Sequence, residues 1–174
     1  MRITAVSAAG ALLLLSVSTS LMAQRPDDQI DPRSLSLLQE GRTAAAAGAL
    51  DRAEDLIETA LAVDPRNRQA FVALAEISQR RELPGKAIRF YAEALALEPN
   101  DAEALRGQGE AMVAKGAVEK AKANLERLRK LCNGDCADAT RLAAAIEKGP
   151  PATATAQQMP IPPAGPTPAP TDKP

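Results

Sequence analysis

A chain of 174 residues has room for one ordinary domain and little beyond it. Its 21 Lys and Arg against 22 Asp and Glu leave a net charge of −1, which argues against a nucleic-acid partner, because binding phosphates takes a basic face. His and Trp are absent and the aromatics are three, Phe71, Phe90 and Tyr91, so the commonest general base and metal ligand is missing, and a hydrophobic content built on Ala and Leu predicts an all-α fold.

Arg2 is the only charge before Arg25, and the stretch between them has its apolar core at Ala11-Leu12-Leu13-Leu14-Leu15. A basic start, a short apolar run and Leu21-Met22-Ala23 before Gln24 predict a secretory signal peptide over 1–23, cut after Ala23. The alternative is an uncleaved membrane anchor; Ser16, Ser18, Thr19 and Ser20 make its second half polar, which favours cleavage. No Cys follows the cut, so lipid attachment is not expected. The mature chain is then an exported protein with no stable membrane insertion, and the bacterial periplasm is the expected compartment. Residues 24–33 form a polar lead-in in which Pro26 and Pro32 are expected to block helix.

From residue 34 the chain repeats itself. Leu-Ala-Val-Asp-Pro-Arg-Asn at 61–67 recurs as Leu-Ala-Leu-Glu-Pro-Asn-Asp at 95–101, with Pro65 and Pro99 34 residues apart. On that period 34–67, 68–101 and 102–135 align without a gap. Gly41, Ala75 and Gly109 share one position, Ala53, Ala87 and Ala121 a second, Ile57, Tyr91 and Leu125 a third, and Ala60, Ala94 and Leu128 a fourth. Small residues in register let two helices approach closely, and the large ones beside them (with Leu37, Phe71 and Leu105) fill the remaining space. Pro65 and Pro99 end helices, since the residue before proline avoids helical geometry. Gly48 and Gly116 mark turns within units; Glu82 stands in their place in the second unit, which predicts a different turn there, tightened by Pro84 and Gly85. Packing accounts for Gly109, while Gly107 has no explanation at this level.

In these positions the chain resembles the tetratricopeptide repeat (TPR) family, whose 34-residue helix–turn–helix units carry small and large residues at the same offsets. The resemblance implies three tandem units and a capping helix over 34–148, a right-handed α-solenoid. After the third unit Ala139, Leu142, Ala143 and Ile146 fall on one helical face and Asp138, Arg141 and Glu147 on the other, which predicts the cap over 136–148. Asp135 is its expected N-cap and Gly134 the stop of the helix before it.

Cys132 and Cys136, the only cysteines, flank that junction. Two ligands and no His make a poor zinc site, and the spacing is not the redox C-x-x-C. In an exported protein the pair is expected as a disulfide pinning the cap; free buried thiols are the alternative. The segment around Cys132 and Cys136 also resembles the terminal segment of some small exported bacterial TPR proteins. Beyond the cap, 149–174 holds nine of the fourteen prolines and is expected to be a disordered spacer with polyproline-II bias. Pro160-Ile161-Pro162-Pro163 carries a P-x-x-P spacing, the signature of the alternative, a recognition motif.

The TPR resemblance further implies a concave groove for a protein or peptide partner. The groove positions carried over are Leu35, Leu38 and Arg42 in the first unit, Gln69, Val72, Glu76, Gln79 and Arg80 in the second, and Glu103, Arg106 and Glu110 in the third. Chaperone-binding members clamp a terminal carboxylate with Lys and Asn; the corresponding residues here are Leu38, Arg42, Ala73, Glu103 and Gly107, so a chaperone C-terminus is not expected. Whether the mixed charges serve a ligand or only pair among themselves stays open. No enzymatic role, metal or cofactor is expected: Ser34, Ser36 and Ser78 have no His base, and Glu54 and Asp55 lie on a solvated helix face. Redox chemistry at the cysteines is the one enzymatic alternative. The leading expectation is therefore an exported scaffold or adaptor, and the alternative a structural subunit or assembly factor of an envelope complex such as a secretion or pilus apparatus.

Overall fold

A computed structural model describes residues 29–134 and 136–152. The leader over 1–23, the start of the lead-in, Asp135 and the tail from 153 onward lie outside the described residues. Among the described residues seven helices follow one another: α1 Pro32–Ala46, α2 Leu50–Val63, α3 Arg68–Arg80, α4 Pro84–Leu97, α5 Ala102–Ala114, α6 Val118–Leu131 and α7 Ala137–Lys148. The described residues contain no strand.

The helices begin where the side chains allow it. Asn67 and Asp101, one repeat apart, accept from the backbone N–H of Ala70 (3.3 Å) and Ala104 (3.0 Å) and so cap α3 and α5. In the first unit Asp31 takes that role by accepting from the Arg33 N–H at 2.8 Å. Pro32 is thus the first residue of α1 rather than a block to it, and the lead-in ends before residue 32. Proline has no N–H to lose, and the first turn of a helix has no use for one.

Four helices stop in the same way. Gly48, Glu82, Gly116 and Asn133 have left-handed backbones (φ 82°, 58°, 82° and 53°). After each, the next N–H returns to a carbonyl five residues back: Ala49 to Ala44, Leu83 to Ser78, Ala117 to Met112 and Gly134 to Arg129. This Schellman arrangement satisfies otherwise orphaned carbonyls. The second unit therefore turns as the others do. Glu82 accepts a conformation that costs a side chain about 1 kcal/mol because the two bonds and the following Pro84 hold it there. The stop before α7 is set by Asn133 one residue ahead of Gly134, and the N-cap position of α7 is taken by Cys136.

Within each unit the two helices lie against each other at the alanines. Ala53, Ala87 and Ala121 are fully buried, as are Ala60, Ala94 and Leu128, and Ile57, Tyr91 and Leu125 pack beside them. A Cβ on Gly41 would stand 2.5 Å from Ile57 Cγ1, so α1 can approach α2 only with hydrogen there. Gly109 answers to a different neighbour: its Cβ would meet Leu142 Cδ2 of α7 at 2.6 Å. The small residue that sequence places at a crossing within the third unit is kept small by the cap.

Leu142 and Ala139 are buried against Leu105, Leu125 and Leu128, with Ala143 and Ile146 at the edge. Beside this junction the Cys132 and Cys136 sulfurs lie 2.12 Å apart.

Candidate binding groove

The odd-numbered helices run parallel and side by side. From α1 to α3, Arg42 reaches Gln69 and Ala45 reaches Arg80; from α3 to α5, Arg68 reaches Asp101 and Gln79 reaches Gly107; from α5 to α7, Arg106 reaches Asp138. With Gly109 of α5 facing Leu142 of α7 as a second contact in the last pair, the contacts in every pair ascend together along both helices, as only parallel neighbours do. Their C-terminal ends therefore share one end of the array.

Between α1 and α3, toward that end, opens a cleft of about 460 Å³. Ala45, Ala46, Ile57, Ala73 and Ile77 give it a small apolar floor, and Arg42, Gln69, Glu76, Arg80 and Glu103 stand around it. The five that stand around it are among the residues the sequence points to. Arg42 donates to Gln69 Oε1, and Arg80 donates to the Ala45 carbonyl at 2.6 Å.

The other candidates are elsewhere. Leu38 and Val72 are core residues, 4% and 1% exposed. Leu38 packs with Ile57 and Leu74, and Val72 with Tyr91 and Ala104, so neither reaches the groove. Leu35 does stay exposed. Gln79 is tied down by the Tyr91 hydroxyl, which donates to its Oε1 at 2.8 Å, while its Nε2 donates to the Gly107 carbonyl at 3.4 Å. Arg106 is enclosed by acids: its Nε donates to Asp138 at 2.9 Å and its NH1 to Glu110 at 2.9 and 3.1 Å. Arg106 and Glu110 therefore close the third-unit end of the groove against α7. Asp138, read from periodicity as a solvent-facing residue of the cap, is the partner that does it.

Charge interactions along this face are visible in the proton affinities. Partial desolvation raises the Glu76 pKa, and the neighbouring carboxylate of Glu103 adds to the rise against the pull of Arg42 and Arg106. Burial also raises the Tyr91 hydroxyl, with Glu76 as the next cause, so Tyr91 remains a neutral donor to Gln79.

Two of the three serines among the described residues are buried and bonded within the fold, while Ser36 is exposed. Ser34 Oγ donates to the Ala60 carbonyl at 2.7 Å and accepts from Asn67 Nδ2 at 2.8 Å, and Ser78 Oγ donates to the Leu74 carbonyl at 2.8 Å. The sequence did not mark the floor as a site, because three of its five members are alanines, the least distinctive residues in an Ala-rich chain. It marked Gly107 without a reason, and the reason is the Tyr91 ring, which lies over it so closely that a Cβ has no room.

No protein-family model and no curated protein matches this chain. Solved structures do. The first TPR of Spaghetti (RPAP3) bound to the HSP90 peptide SRMEEVD is similar at 25% identity and TM-score 0.62, over 67% of this chain and 91% of that one. The Sgt2 TPR domain from Aspergillus fumigatus is similar at 22% identity and TM-score 0.63, over 81% of this chain and 92% of the other. The second TPR domain of human RPAP3, in complex with the HSP70 peptide SGPTIEEVD, is similar at 20% identity and TM-score 0.61, over 66% and 95%.

Proposed function

The chain is an array of tetratricopeptide repeats, and on that premise we propose that it is an exported, non-catalytic scaffold holding a protein or peptide partner in the cleft between α1 and α3. The observation that carries the reading is the cleft itself: an alanine floor small enough to admit a peptide backbone, rimmed by Arg42, Arg80, Glu76 and Glu103. Two of the similar structures hold peptides, which supports the ligand class. A chaperone C-terminus is a poor candidate here. Leu38 is buried and Gly107 lies under Tyr91, so of the five positions that would grip a terminal carboxylate only Arg42 offers a donor side chain.

Export rests on the charge-poor leader over 1–23, and the adjacent Cys132 and Cys136 sulfurs suit an oxidising compartment, where the pair would be a disulfide pinning the cap. The test is capture from an envelope extract by the full chain and by Arg42→Glu with Arg80→Glu. Both arginines are exposed, so the fold should survive. A partner whose recovery drops at least tenfold with the reversed charges supports the cleft, and unchanged recovery overturns it.

One observation favours a second reading, a structural subunit or assembly factor of an envelope complex. Val63, Leu97 and Leu131 recur at the 34-residue period and are all exposed, at 38%, 44% and 40%. They form an apolar edge repeated at the end of each second helix. Under this reading the same experiment yields a partner at fixed stoichiometry that ignores Arg42 and Arg80.

A further inference from the structure

The proline-rich tail follows directly on α7. Helix α7 lies parallel to α5, as the Arg106–Asp138 contact and the packing of Leu142 on Gly109 require. Its last residue, Lys148, therefore leaves the array at the end shared by the C-termini of α1, α3 and α5. The cleft reaches that same end, where Arg42 and Ala45 of α1 and Ile77 and Arg80 of α3 line it, while Gln69 and Glu103 line it from the first turns of α3 and α5.

The distance matches. Packed helices lie about 8–10 Å apart, so the path from α7 across α5 and α3 to the cleft is about 20–30 Å. A polyproline-II chain advances about 3.1 Å per residue, so roughly ten residues, 149–158, cover it. The next residues are Met159-Pro160-Ile161-Pro162-Pro163, and Met159 and Ile161 are the only large apolar side chains of 149–174.

The chemistry matches too. A proline-rich strand has bare carbonyls and few N–H groups, so it needs donors and flat, small apolar ground rather than acceptors. The cleft supplies an alanine floor and two guanidinium groups with five N–H each. Its charged rim of two arginines and two glutamates sums to zero, and 149–171 is uncharged.

We propose that residues 159–163 of the tail fold back in cis and occupy the cleft between α1 and α3, as an internal ligand that an outside peptide must displace. The proposal rests on the reading of the cleft as a peptide site. It is tested on the full chain carrying Ile161→p-benzoylphenylalanine, irradiated in dilute solution as an equal mixture of ¹⁵N-labelled and unlabelled protein.

The expected products are crosslinks within one chain to the segments holding Ala45, Ala73 or Ile77, lowered at least tenfold by Ala46→Arg, an exposed position that fills the cleft. In parallel, a synthetic peptide of residues 156–165 should bind the full chain at least tenfold more tightly once Met159→Asp and Ile161→Asp empty the cleft. Crosslinks elsewhere, no crosslinks, or no gain in peptide affinity overturn the proposal. Products joining labelled to unlabelled chains also overturn it and assign the tail to a second copy. Failure here with capture still dependent on Arg42 and Arg80 leaves the partner site standing. Success here with capture indifferent to those arginines removes the outside partner and keeps the tail.

Discussion

One hydrogen atom at residue 107 decides how closely the second and third units can meet. Tyr91 comes from α4, is 1% exposed, and lays its ring over the Gly107 backbone while its hydroxyl holds Gln79 of α3. A glycine inside a helix costs about 1 kcal/mol relative to alanine, so Gly107→Ala gains that much in α5 alone. It also drives a methyl group into the Tyr91 ring, which must move and surrender its bond to Gln79. Overpacking a core contact costs about 1–3 kcal/mol and a buried hydrogen bond about 1 more, so the collision outweighs the helix gain. Gly107→Ala is expected to lower stability by about 1–3 kcal/mol in urea unfolding, and Tyr91→Leu in the same chain should recover part of the loss. Equal stability of Gly107→Ala and the parent would mean the ring does not sit there. The glycine is plain in the sequence but its reason is not, because the colliding ring arrives from a different unit, sixteen positions away along the chain.

At the scale of elements, the junction between α2 and α3 is organised by one carboxylate. Asp64 is buried, and its Oδ1 accepts from the N–H (3.0 Å) and Nε (3.2 Å) of Arg66 while its Oδ2 accepts from the Asp31 N–H at 2.9 Å. The bonds from Arg66 first, and then that from Asp31, hold its pKa down from 3.8 to about 2. A lowered pKa in the folded state means the stabilisation is fully present above the unfolded value and disappears as pH falls through the folded one. Asp64→Asn is therefore expected to cost about 1–2 kcal/mol at neutral pH. The gap between variant and parent should narrow below about pH 4 and close near pH 2, read from denaturant curves at each pH. A gap independent of pH would show that the charge on Asp64 does not stabilise this junction. The repeated words ending in Pro65 and Pro99 announce this junction, yet they do not show that Asp64 reaches back across 33 residues to start α1. The same limit explains Leu38 and Val72. Successive helix residues point about 100° apart, so a small error in the roll of a helix moves a side chain from groove to core.

For the whole molecule, the period of 34 fixes the order of parts, and each helix then packs mainly on its chain neighbours and on the next odd helix. Such an array is close to one-dimensional, and its stability is a sum over adjoining units. Helix α7 occupies the place a fourth unit's first helix would take, against α5 and α6, and Leu142 is its fully buried anchor over Gly109. Removing that side chain leaves a void at one end of the stack only. Leu142→Ala is expected to cost about 2–4 kcal/mol from lost burial and the remaining cavity. Because the units couple only through shared faces, amide exchange should accelerate in α5, α6 and α7 well before it does in α1 and α2. The cysteines sharpen the expectation, since a bond between Cys132 and Cys136 tethers the start of α7 whether or not its buried face holds. Exchange that rises equally along all seven helices would mean the array unfolds as a single cooperative block, and that the cap governs the groove between α1 and α3 as directly as it governs its own end.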